Sequence, residues 1–153
     1  MAQDEAKLEL TPRLVGALYT DSMLLADEAR SYFDRQGREE RDALDPVLRV
    51  GFSCESLKVT TRLMHIIAWL LTQRAVEAGE LSAAQARRPA RRLGDEPESD
   101  DAVLPRLPEA AQALVAASRD LFARVRRLDD AGPETAPQPS PARGLLSRLE
   151  RSF

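Results

Sequence analysis

The sequence predicts an all-α protein: a three-helix bundle with a long central second helix, a charged linker before helix three and a flexible C-terminal tail. Three observations predict it. Apolar residues recur at steps of three and four over three long stretches, whereas no stretch alternates with the period of two that a strand needs. Two early prolines each follow a capping residue, Thr11-Pro12 and Asp45-Pro46, and proline loses nothing in the first helical turn because its missing N–H would be unpaired there anyway. The remaining eight prolines fall between Pro89 and Pro108 or between Pro133 and Pro141, which confines helix-breaking residues to two segments.

After an N-terminal arm of residues 1–10, the bundle is expected over 11–128. Helix one, about 12–36, carries Leu14, Leu18, Leu25, Ala29 and Tyr32 on one stripe, widened by Val15, Tyr19 and Phe33. Gly37 is placed to end it in a left-handed conformation, and the charged stretch Arg38 to Asp45 then carries the turn. Helix two, about 46–78, keeps alternating steps of three and four from Val47 through Val50, Cys54, Leu57, Thr61, Met64, Ala68, Leu71 and Ala75 to Ala78. At about 33 residues it would be about 50 Å long. Gly51 costs it roughly 1 kcal/mol relative to alanine, which packing must offset. The run Leu63 to Leu71 is apolar on nearly every face, so the helix needs cover from more than one side.

Ser82 with Gln85 can cap a short turn that Pro89 stops. Within the linker 80–107, Arg87, Arg88, Arg91 and Arg92 precede Asp95, Glu96, Glu98, Asp100 and Asp101. Opposite charge blocks with few apolar residues read as a solvated connection. Helix three, about 108–128, is expected to bury Ala111, Leu114, Val115, Leu121, Phe122, Val125 and Leu128. From 129 to 153 the chain is a Pro-rich spacer ending in a short amphipathic peptide, with Leu145, Leu146, Leu149 and Phe153 on one side. Eleven residues are too few for a stable isolated helix, so that peptide would order only on a partner.

The 153 residues leave room for one domain and a tail. With 22 basic and 25 acidic residues the net charge is −3, against a nucleic-acid binder, which displaces counterions with a positive surplus. One Cys and one His supply neither a disulfide nor a structural zinc site. The start, MAQDEAKLEL, carries acids where a signal peptide is positive. Leu63 to Leu71 is about half a bilayer span. An intracellular protein without membrane insertion is expected.

Chemistry finds little footing. Glu77 and Glu80 followed by Glu98 and Asp101 match on paper the paired acids of helical, magnesium-dependent nucleotide pyrophosphohydrolases. Glu80 lies beyond Gly79, however, and the second pair follows Pro97 in the linker, so the carboxylates would not face one another from two helices as magnesium's octahedral shell requires. His65 reads as a packed imidazole hydrogen-bonded to Thr61 one turn before it, and Cys54 as a small core residue with no second histidine to activate it. The Arg87–Arg92 block lacks interleaved aromatics for base stacking. No catalytic, cofactor or metal residue is expected.

Surfaces for protein partners are better represented. Glu55, Lys58, Arg62, Gln73 and Arg74 lie beside the apolar stripe of helix two, either as a partner face or as an ordinary solvated one. Surplus apolar surface on that helix suggests self-association.

The string Glu55-Ser-Leu-Lys-Val-Thr-Thr-Arg-Leu-Met64, followed by Ala68-Trp-Leu-Leu71, Gln73-Arg-Ala-Val76 and Gly79-Glu80, is similar to the signature of the RcdA-like family, the regulators of CtrA degradation in bacterial cell-cycle control. The resemblance implies a dimeric three-helix bundle with a flexible tail and no catalytic activity. It implies an adaptor that joins ClpX in the ClpXP protease, primed by the response regulator CpdR, and tethers substrates such as a CtrA-like regulator or a further adaptor. It further implies a cytoplasmic protein, brought to the cell pole through its partners. On that reading Met64, Ile67, Trp69 and Leu71 make the homodimer contact. Glu55, Lys58, Arg62 and Arg74 receive partners, and Leu145, Leu146, Leu149 and Phe153 form a docking peptide. The alternative is a helical dimeric regulator or scaffold acting without a protease.

Overall fold

A computed structural model describes residues 10–132 together with Arg148, Leu149 and Ser152. Within residues 10–132 five α-helices carry the fold: α1 (Pro12–Asp34), α2 (Gln36–Asp42), α3 (Pro46–Glu77), α4 (Ala83–Ala86) and α5 (Glu109–Ala131), with 3₁₀ turns at Pro89–Arg91 and Leu104–Arg106. Among the described residues there is no strand.

Both expected starts are capped. Thr11 Oγ1 accepts the Leu14 amide at 3.1 Å and Asp45 Oδ1 the Leu48 amide at 2.9 Å. At the far end of α3, Gly79 adopts φ 77°. Its amide donates to Val76 O, and that of Glu80 donates to Ala75 O. This is the Schellman arrangement, in which a left-handed residue lets the chain turn back and satisfy the last carbonyls. Ser82 and Gln85 form a reciprocal capping box at α4.

Gly37 departs from expectation. α1 ends earlier, at Asp34, with a break at Arg35 (φ −122°, ψ −93°), and the segment read as a turn is helical through Asp42. Gly37 sits buried inside α2, where an added Cβ would lie 2.7 Å from the Tyr32 carbonyl oxygen and 3.3 Å from the Phe52 ring. Close approach, not backbone freedom, requires glycine here. Gly37→Ala is therefore expected to cost about 1–3 kcal/mol by overpacking. Gly16→Ala in α1 meets nothing within 4 Å and is expected to stabilise by about 0.4–1 kcal/mol by restricting the unfolded chain. Urea unfolding midpoints of the two variants should move in opposite directions.

The linker is the larger correction. Instead of standing in solvent it forms a strap that retraces α3 from its end to its beginning. Gly94 lies against the His65 ring, Arg62 reaches Pro97 and Ser99, and Val103 packs on Gly51. Leu93 and Leu107 of the strap are buried, and Val103 fills the space that Gly51 leaves open. Because the strap runs back, α5 starts beside the first half of α3 and runs parallel to it, pairing Arg62 with Ser118 and Trp69 with Asp129. α3 makes the most extensive contacts, with α1 on one side and α5 on the other.

All seven residues expected to be buried on the third helix are buried. That helix nevertheless continues three residues beyond the expected 128, to Ala131, with Gly132 as its cap. Asp129, read as the first residue of the spacer, belongs to it.

Candidate interaction surfaces

α3 is apolar on two opposite faces. Leu48, Phe52, Val59, Leu63, Ile66, Trp69 and Leu70 point into the core. The stripe that the sequence singles out points the other way: Val47 is 75%, Val50 64%, Leu57 68%, Met64 64% and Leu71 47% exposed. Cys54, expected in the core, lies exposed on that outer stripe. A helix of 100° per residue places these two sets roughly 180° apart.

Arg62 and Glu55 were expected on a partner face, and the structure buries both completely. They lie on the inner face, each one turn from Val59. The Arg62 guanidinium donates from Nε to Glu96 at 3.2 Å, from Nη1 to Ser118 at 3.3 Å, and from Nη2 to Pro97 O at 2.8 Å and Ser99 Oγ at 2.7 Å. Burial lowers its pKa, against the opposing pull of Glu96 and Glu55. The Glu55 carboxylate meets Lys58 Nζ at 2.9 Å and accepts no other bond among the described residues. A fully buried charge is tolerated only when paired, so this cluster fastens the strap and α5 to α3.

A second buried acid fastens the other end. Asp129 accepts the Trp69 indole N–H at 2.9 Å and Arg92 Nε at 3.2 and 3.3 Å, with Arg87 Nη1 at 3.6 Å and Arg126 Nη1 at 3.9 Å. The Arg92 pKa is raised, first by its hydrogen bond to Asp129. Trp69, expected at a dimer contact, is thus committed to the core. Two arginines of the strap's basic block are likewise turned inward.

What remains outside is Lys58, half-buried beside Glu55, and Arg74, exposed with its guanidinium 4.2 Å above the Tyr19 ring. Met64 and half-buried Ile67 line a shallow groove of about 360 Å³ between α1 and α3, with Ala26, Phe33 and Thr60.

Comparison with known proteins bears on this geometry. The family described as "Protein of unknown function (DUF1465)" matches residues 6–153. The crystal structure of RcdA from Caulobacter crescentus CB15 superposes with a TM-score of 0.64 at 31% identity, covering 78% of this chain and 91% of that one. The chain belongs to the RcdA family. Curated proteins give no match.

In this RcdA-family chain, the string from Glu55 to Met64 serves both faces of one helix. Glu55, Val59, Arg62 and Leu63 point inward, while Leu57, Thr60 and Met64 stay on the outer side. The other chemical candidates are placed as follows. Thr61 Oγ1 donates to Leu57 O at 2.9 Å and not to His65, whose buried Nδ1 has no partner among the described residues. Glu77 ends α3, whereas Glu98 and Asp101 lie beside Arg119 at the level of Arg62, roughly 22 Å away along the helix. Among the described residues no cluster of three or more His, Cys, Asp or Glu could hold a metal ion, and no helix is long and apolar enough to cross a membrane. Of the C-terminal peptide, Leu149 is described and exposed, while Leu145, Leu146 and Phe153 lie outside the described residues.

Proposed function

We propose that this protein is a non-catalytic adaptor in regulated proteolysis. It is a homodimer of helical bundles that tethers protein substrates, or a further adaptor, to ClpXP primed by a CpdR-like response regulator, with a CtrA-like regulator among its cargo. The observation that carries this reading is the match to RcdA over most of both chains. The outer stripe of α3 supports it physically, because five large apolar side chains on one line of one helix are expensive to leave in water. Met64, Ile67 and Leu71 belong to the dimer contact on this reading. Lys58 and Arg74 remain available to partners, and Leu145, Leu146, Leu149 and Phe153 dock on a partner from the tail. The protein works in the cytoplasm and reaches the pole through those partners.

An adaptor of this kind lowers the apparent KM of its cargo by raising local concentration, with no change in the proteolytic chemistry. Adding the protein to primed ClpXP should speed the loss of at least one cell-cycle substrate. Failure to accelerate any cargo would overturn the adaptor reading and leave a dimeric scaffold. Truncation after Gly132, which keeps all of α5, should slow delivery. An unchanged rate would remove the tail from the mechanism.

A further inference from the structure

The outer stripe of α3 has an internal order. From Val47 it steps by three and four through Val50, Cys54, Leu57, Thr61, Met64 and Ala68 to Leu71, an average of 3.5 residues, which is the repeat of a left-handed coiled coil. Each position reached by a step of three holds a larger side chain: Val50, Leu57, Met64 and Leu71. Each reached by a step of four holds a small one: Cys54, Thr61 and Ala68.

That order discriminates between the two ways in which a second copy could lie along it. In a parallel pair like meets like, so Leu57 and Met64 meet their own counterparts, an ordinary coiled-coil layer, while Cys54, Thr61 and Ala68 face one another across a gap. Those three layers count against it, since voids lose contacts. In an antiparallel pair centred at the level of Val59, Cys54 faces Met64 of the second copy. Leu57 then faces Thr61, Val50 faces Ala68 and Val47 faces Leu71. Every layer from Val50 inward joins one small and one large residue.

The surroundings suit a second copy. Ser53, Thr60 and Ile67 flank the stripe without charge, and Lys58 is paired with Glu55. Arg41, Asp42 and Arg49 lie beside its first half, with Val50, Ser53, Cys54 and Leu57, and in the antiparallel register they meet the second half of the other copy rather than their own counterparts. Covering the stripe and its flanks would remove on the order of 700 Å² per copy, close to the roughly 800 Å² per partner of a stable interface.

We propose that two copies associate through α3 in antiparallel orientation, with Cys54 of each against Met64 of the other. This rests on the dimer reading above and goes beyond it by specifying orientation and register. Native Cys54 is the chain's one cysteine, which makes oxidative cross-linking a clean readout. In the proposed register two Cys54 residues are separated by roughly 15 Å along the axis, well beyond the ~7 Å that a disulfide spans between Cα atoms. The native chain and the Cys54→Ser/Met64→Cys variant should both stay uncross-linked on a non-reducing gel, whereas Met64→Cys alone should give a covalent dimer. Sedimentation equilibrium on the same samples should show dimers for all three, and Leu57→Glu should weaken association more than tenfold. Cross-linking of the native chain through Cys54 would mean a parallel pair or an antiparallel one centred on Cys54, and either overturns the proposal. A dimer that Met64→Cys fails to cross-link would overturn the register while the dimer stood. A monomer in sedimentation would overturn both, leaving the stripe to a helix from another protein.

Discussion

Arg62→Ala is expected to lower the unfolding free energy by about 3–5 kcal/mol, the cost of breaking a buried ion cluster from one side. The guanidinium binds Glu96, Ser118, Pro97 and Ser99 together, so its loss frees the strap and strands the buried Glu55 with Lys58 alone. Arg62→Lys should be nearly as damaging. An ammonium cannot satisfy four acceptors spread across a planar fork. The double change Glu55→Gln/Arg62→Met should cost less than the sum of the single changes, because the uncompensated charge disappears together with its partner. Urea unfolding measures these differences. Amide exchange should show protection lost first across 93–103, the stretch that Arg62 ties down. An unchanged midpoint for Arg62→Ala would mean that the cluster contributes nothing to holding the strap.

Asp129→Ala should be comparably severe, at about 3–5 kcal/mol. Its carboxylate, 2% exposed, is the common acceptor for an indole and the nearest anion to three arginines, so truncation leaves three cations crowded without it. Asp129→Asn separates the two roles. The amide oxygen can still accept the Trp69 N–H while the negative charge is gone, so an intermediate loss is expected. Trp69 is the chain's one tryptophan, and its fluorescence reports directly on this corner. A native-like emission maximum and midpoint for Asp129→Ala would show that Asp129 is dispensable. Together the two anchors explain how a segment with few apolar residues stays folded. Arg62 fixes the acidic half of the strap and Asp129 fixes the basic half.

Which features were legible from sequence follows from where their causes lie. Thr11, Asp45 and Ser82 act on amides three residues away, and Gly79 acts on carbonyls three or four residues before it, so these starts and the stop of α3 could be read from neighbours. α5 shows its buried face plainly because its other face is polar. α3 has apolar residues on two opposite sides, and each side keeps helical spacing. The more regular set is the outer one. Leu48, Phe52, Val59, Leu63, Ile66 and Leu70 form the other set. Reading them as a stripe would have shown Glu55 and Arg62 embedded among them, a signal for a buried pair. Gly37 misled for a related reason, since a glycine after an apolar stripe reads as a cap until the Tyr32 carbonyl is seen against it.

The sequence by itself determined the helical class, the capped starts of α1 and α3, the glycine end of α3, the inward face of α5 and, through the string from Glu55 onward, the family. Only the tertiary structure decided which face of α3 is covered, that the charged segment is a strap, and that Asp129 is an anchor. The physical reason is separation along the chain. Capping and periodicity act within a few residues, whereas Arg62 meets Glu96 and Arg87 meets Asp129 across 34 and 42 positions. A charge that looks solvated in sequence is buried once a distant opposite charge is folded against it.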